Sequence, residues 1–217
     1  MKNENAGKKI LVNDKGESMK YSIVNEINEL LKQNEDNAIE TLNKIKALVA
    51  RERKPDFAKI EDGEHFTYKG IEFIRLGKEQ DGILCITAKI WKTLPFDKDG
   101  CNNFEKASIC KVLNNEFRPL LDDNDLLTYQ MDLTADNGDS VYGSLCVYAG
   151  LLSADLYRKY RDCIPSYNDW IWFCTPWYCS NDVGYIRGGV YKHGELGSSA
   201  VTSSYGVVPT VIFKANI

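Results

Sequence analysis

The spacing of apolar residues changes at Pro55, and that change decides what each side of the chain can become. Before it, Ile23, Ile27, Leu30, Leu31, Ala38, Leu42, Ile45 and Val49 recur at steps of three and four, with no Gly or Pro between residues 21 and 53. That spacing places apolar side chains along one side of a helix. After it the period shortens to two, as in strands. Strands are predicted at 65–68, 71–76 and 83–91, joined by turns at Lys69-Gly70 and 78–82. A helix follows at 107–117, with Ile109, Val112, Leu113 and Phe117 on one face. Residues 120–143, rich in Asp and Asn, read as loop, and 153–160 as a helix capped by Ser153. Strands are expected at 170–174, 185–192, 198–205 and 207–214, with a turn at His193-Gly194. The organisation is a loose arm over 1–20, a helix over 21–54 and one α+β domain over 55–217.

Two readings of the helical stripe stay open. It packs on its own domain, or it forms a coiled coil in which Asn34 fixes the register. The Asn-Glu-Asp-Asn run at 34–37 breaks or bends the helix in either case. A stripe of Ile, Leu and Val left in water is costly, so self-association of 21–53 into a homo-oligomer is expected.

Composition narrows the function. The net charge is -4 and the pI about 5.3, without a Lys/Arg-rich run, which argues against direct nucleic-acid binding. No apolar run approaches the ~20 residues of a membrane span, and the first residues carry no apolar signal segment, so a cytoplasmic product is expected. The seven cysteines are odd in number and form no C-x-x-C pair, and the two histidines are far apart. Free thiols are expected, with no zinc and no cofactor. No nucleophile elbow or phosphate-binding loop is present, so no hydrolase chemistry is legible.

Five segments in order resemble a family of domains of uncharacterised function found in clostridial and gut bacteria and their phages. They are ICKVLNNEF (109–117), MDLTADNGDSVYG (131–143), LLSADLYRKYRDCIP (151–165), DWIWFCTPWY (169–178) and YGVVPTVIF (205–213). Val208 stands where that family usually has Arg. The family is similar to C-type-lectin-like proteins, including phage tropism determinants, and distantly to formylglycine-generating enzymes. The resemblance implies an α+β, C-type-lectin-like domain with paired first and last strands, two flanking helices and a binding surface in its irregular C-terminal part.

The candidate site is therefore the segment from Trp177 to Glu195. Trp177, Tyr178, Asn181, Asp182, Tyr185, Arg187, Tyr191, Lys192, His193 and Glu195 combine the aromatic, Arg and Asn chemistry of protein-binding surfaces. Period two would put Tyr185, Arg187 and Tyr191 on one face. The expected function is non-catalytic binding of a protein or cell-surface ligand. The alternative is a copper-dependent thiol oxidase using Cys174 and Cys179, since the formylglycine-generating enzymes carry a similarly spaced Cu(I)-binding pair. Calcium-dependent sugar binding lacks its ligand loop, and the acidic run 122–125 reads as a solvated loop with Asx turns.

Overall fold

The computed structural model describes residues 21–33, 38–52, 54–179, 185–187 and 196–215. It falls into two units, Met1–Arg53 and Lys54–Ile217. In the first, the stripe forms two helices, α1 (Tyr21–Gln33) and α2 (Ala38–Glu52), which contact each other. The run 34–37, where a break or bend is expected, lies between α1 and α2 and outside the described residues. Ile23 is buried, whereas Leu31 and Leu42 are half exposed, so the stripe does not act as one buried face.

The second unit is built on antiparallel pairing. Strand β1 (His65–Tyr68) turns through Lys69 and Gly70, both at positive φ, into β2 (Ile71–Glu79). β2 runs three residues past the predicted end, because a bulge between Arg75 and Gly77 carries the pairing on. Its partner β3 (Gly82–Thr87) is short, and the predicted strand 83–91 ends at Thr87. A separate strand, β4 (Lys92–Pro95), follows after the Thr87 hydroxyl closes on the Lys89 carbonyl at 3.0 Å.

The next helix starts as α3 (Ser108–Val112), loosens into a π turn over Leu113–Phe117 and tightens into a 3-10 turn over Arg118–Leu120. Ile109, Leu113 and Phe117 are buried as predicted. The stretch read as loop holds β5 (Leu126–Leu127) and β6 (Tyr129–Asp132). β6 pairs with β7 (Ser144–Val147), and β8 (Ala149–Gly150) follows. These strands are too short for periodicity to register. Helix α4 (Ala154–Tyr160) has the predicted cap, with Ser153 Oγ accepting the Leu156 N–H at 3.1 Å.

The predicted strand 170–174 reduces to a parallel bridge between Ile171 and Gly206. Trp172 instead donates its backbone N–H to Gly206 and its indole Nε1–H to the Leu94 carbonyl, each at 2.9 Å, which fixes the buried ring. Strand β9 (Tyr185–Arg187) pairs with β10 (Ser198–Ala200). The predicted strand 198–205 divides, because the Ser203 N–H turns back onto the Ala200 carbonyl before β11 (Ser204–Val207), which pairs with β4.

The chain's last strand, β12 (Thr210–Lys214), pairs with β3 on one edge and with β5 and β8 on the other. The principal sheet reads β1-β2-β3-β12-β5. The expectation that first and last strands pair is corrected: β1 spends its pairing on β2, and β12 docks on β3. The structure is α+β and mainly antiparallel. Val208 is buried, and Pro209 precedes β12 with its carbonyl accepting Thr87 N–H.

Polar residues stabilise the loops from inside. Asp97 is buried; its Oδ2 accepts the N–H groups of Asp99 (3.0 Å) and Cys101 (2.9 Å), and its Oδ1 accepts Ser108 N–H at 2.7 Å, closing the start of α3. Burial opposes ionisation of this carboxyl, but the amide bonds from Cys101, Ser108 and Asp99 outweigh it and hold its pKa below the usual range. A carboxyl whose folded pKa is depressed adds stability above its unfolded pKa of about 3.9, and that stability is lost as pH falls through the folded value. Asp97→Asn is therefore expected to cost about 1–3 kcal/mol at pH 7 and to flatten the acid limb of the stability profile, measured by urea unfolding at a series of pH values.

Candidate functional site

Trp177 and Tyr178 are the described members of the predicted binding set with placed side chains, and they stand 40% and 37% exposed. The backbone beneath them is held closely. Buried Asn102 donates from Nδ2 to the Tyr178 carbonyl at 2.7 Å, and its Oδ1 accepts the Tyr142 hydroxyl at 2.7 Å. The Asp136 N–H donates to the Pro176 carbonyl at 2.9 Å. The two aromatic side chains thus project from a segment tied to two neighbouring loops. Asn102 and Tyr142 were not legible as part of this site, because a polar residue in a polar loop carries no signal of burial.

The predicted strand 185–192 is described over Tyr185–Arg187, which forms β9, and residues 188–192 lie outside the described residues. Its side chains lie outside the described residues, as do Asn181, Asp182, Tyr191, Lys192, His193 and Glu195, so the one-face arrangement of Tyr185, Arg187 and Tyr191 is not among the described features.

Cys174 and Cys179 face different surroundings. Cys174 is buried, and burial pushes its thiol up to about 12, with the negative charge of Asp132 adding to the effect. The Cys179 thiol, also raised by burial, donates to the Asp139 carbonyl at 3.5 Å. Among the described residues no cluster of three or more His, Cys, Asp or Glu is placed to hold a metal.

In the acidic run 122–125, Asp122 Oδ1 accepts the Asn124 N–H at 3.0 Å, the Asx turn expected there. Asp125 corrects the solvated reading: it is buried, accepting the Tyr68 hydroxyl at 2.5 Å and pairing with Lys54 Nζ at 2.5 Å. The carboxylate is thereby spent on joining β1 to the turn before β5.

A cavity of about 560 Å³ opens where the sequence marked no site. The end of the β2–β3 hairpin, β6, the loop after it, α4 and the Cys174-Thr175 pair enclose it, with Ile212 of β12 beneath. Residues within 131–143, 151–165, 169–178 and 205–213 contribute to its walls. Its volume falls in the ~300–1,000 Å³ range of small-molecule sites.

Comparison with family models, curated proteins and solved structures finds no match. Among the described residues, no helix is long and apolar enough to cross a membrane.

The Asn102 bonds generate a test. Asn102→Leu keeps the number and branching of side-chain heavy atoms and removes the bonds to two part-buried groups, the Tyr178 carbonyl and the Tyr142 hydroxyl. A stability loss of about 1–3 kcal/mol is expected in chemical denaturation. Tyr142→Phe, which leaves the bond from Asn102 to the Tyr178 carbonyl in place, should cost less.

Proposed function

We propose that the Lys54–Ile217 unit is a non-catalytic binding module that engages a protein or cell-surface ligand through the surface carrying Trp177 and Tyr178. The observation behind this reading is two half-exposed aromatic side chains on a backbone anchored by the buried Asn102. Aromatic anchors bind best when little ordering entropy is left to lose, and a pinned backbone meets that condition. The chemistry of residues 181–195 in the sequence extends the surface with Asn181, Asp182, Tyr185, Arg187, Tyr191, Lys192, His193 and Glu195.

The resemblance to phage and gut-bacterial lectin-like domains gives this module two possible settings. One is a host-recognition component of a virion. The other is an inhibitor that binds a host defence protein inside the cell. Purified particles and infected-cell cytosol separate them, since the protein co-purifies with particles in the first setting alone.

The function test is substitution at the aromatic pair. Once a partner is isolated by affinity capture, Trp177→Ala should weaken binding about thirtyfold, a loss of ~2 kcal/mol, without changing the circular dichroism spectrum. Unchanged affinity in folded Trp177→Ala and Tyr178→Ala proteins would place the binding face elsewhere.

We further propose that α1 and α2 make the chain a homo-oligomer. Leu31, Ile39 and Leu42 are large apolar side chains at the surface, with Ile39 76% exposed. Linked copies would raise avidity for a surface ligand without new contacts. Light scattering is expected to show a dimer or trimer for the full chain and a shift towards monomer for Ile39→Ser/Leu42→Ser. A monomeric wild-type chain refutes this part of the proposal and leaves the binding face untouched.

A further inference from the structure

Among the described residues, the cavity between β6, α4 and the β2–β3 hairpin is lined by more carboxylates than cations, and one of them, Asp132, stands outside any ion pair. Its base is apolar: Leu84, Met131, Leu151, Cys174 and Ile212 line it and are buried. Its rim is ionic, with the carboxylates of Glu79, Asp132, Asp136 and Asp155 facing the cations Arg158 and Lys159.

Both cations are already engaged. Lys159 Nζ lies 2.5 Å from Glu79 Oε1, which also accepts the Tyr160 hydroxyl at 2.7 Å. Arg158 places NH1 2.6 Å from Asp155 Oδ1 and NH2 3.6 Å from Asp136 Oδ1. Asp132 makes no ion pair among the described residues; its Oδ1 accepts the Thr134 N–H at 2.8 Å and hydroxyl at 2.6 Å. These bonds hold the Asp132 carboxylate in place, and the bond from Asp136 N–H to the Pro176 carbonyl holds the other end of the turn.

An anionic ligand would meet four carboxylates and would have to strip a cation from its partner. A neutral apolar ligand would gain the base and leave the rim charge unanswered. A cation with an apolar body meets both demands, because the charge is answered beside a surface that excludes water. We propose that this cavity binds a small organic ammonium ion, with its head at Asp132 and Asp136 and its hydrocarbon or aromatic body on Leu84, Met131 and Ile212.

The test is calorimetry on the full chain with 2-phenylethylammonium, tryptammonium and hexylammonium, against 3-phenylpropionate and 2-phenylethanol as anionic and neutral counterparts. At least one ammonium ion should bind with one-to-one stoichiometry, the anion should not bind, and the alcohol should bind about tenfold more weakly than its ammonium counterpart. Asp132→Asn should weaken the ammonium ion by about tenfold, and Asp136→Asn should weaken it independently, which covers the case of one variant failing to fold. Asp123→Asn, a carboxylate outside the cavity, should leave binding unchanged. Trp177→Ala should also leave it unchanged, which keeps this site separate from the aromatic surface. The proposal is overturned if none of the three ammonium ions binds, if 3-phenylpropionate binds as tightly, or if folded Asp132→Asn and Asp136→Asn both keep the wild-type affinity.

Discussion

Strand β12 is hydrogen-bonded along both edges, and the domain is organised by that fact. Its backbone groups are buried, and buried N–H and C=O groups need partners. β3 satisfies one edge, and β5 and β8 share the other, so three distant parts of the chain must arrive before the strand is complete. Phe213 then sits among aromatic rings: Phe57 stacks on it at 4.2 Å, and Tyr68 and Phe73 meet it edge-on at 5.2 and 5.4 Å. Such pairs add about 0.5–1.5 kcal/mol each beyond area burial. Gly82 allows the close approach, since a Cβ there would lie 2.6 Å from the Phe213 carbonyl oxygen. Gly150 does the same beside Met131, where a Cβ would meet the sulfur at 2.3 Å.

Around that strand the loops are ordered by buried polar side chains. Asp97, Asn102, Asn103 and Asp125 are buried, and each bonds to backbone or hydroxyl groups of its surroundings. Arg75 works similarly: it is buried, and NH1 donates to the carbonyls of Ala58 and Ile60. Its Nε stands 2.8 Å from Asp62 Oδ1, an ion pair by distance in which the N–H is misaligned for a hydrogen bond. Breaking one partner of a buried polar set costs more than the set contributes, because the remaining groups lose water and gain nothing. These loops are thus rigid supports, which is what a binding surface built on irregular backbone requires.

Sequence periodicity located the elements that have a single environment. The β1–β2 turn, the buried face of α3 and its π turn, and the Ser153 cap all follow from local rules, and each stands at its predicted place. Periodicity failed where tertiary contacts decide. Residues 83–91 are apolar enough for one strand, but pairing with β12 ends at Ile86 and the chain turns to meet β11. Residues 126–132 carry too many polar neighbours to read as strand, yet β12 and β7 recruit them. The cavity was illegible for a related reason. Its walls come from segments spread between Glu79 and Ile212, and its apolar lining is indistinguishable in sequence from ordinary core. The aromatic pair was legible because Trp and Tyr in a Pro-bounded, polar segment are unusual core residues.

The run from Cys174 to Cys179 links the two surfaces. Cys174 N–H donates to the Leu152 carbonyl at 2.9 Å, and Thr175 Oγ1 accepts the Ala154 N–H at 3.0 Å, so the first two residues are fixed to the start of α4 and line the cavity. The Pro176 carbonyl takes Asp136 N–H, from the loop that forms the opposite wall. The Tyr178 carbonyl takes Asn102, and the Cys179 thiol reaches the Asp139 carbonyl. Six residues therefore carry five anchors to three different parts of the chain: the start of α4, the loop holding Asp136 and Asp139, and Asn102. A segment held this densely moves as a unit or not at all, because displacing any residue strands a polar group elsewhere. The cavity wall and the base of the aromatic pair are, mechanically, one element. Chain segments that come together here from far apart in sequence give the domain a fixed surface without regular secondary structure.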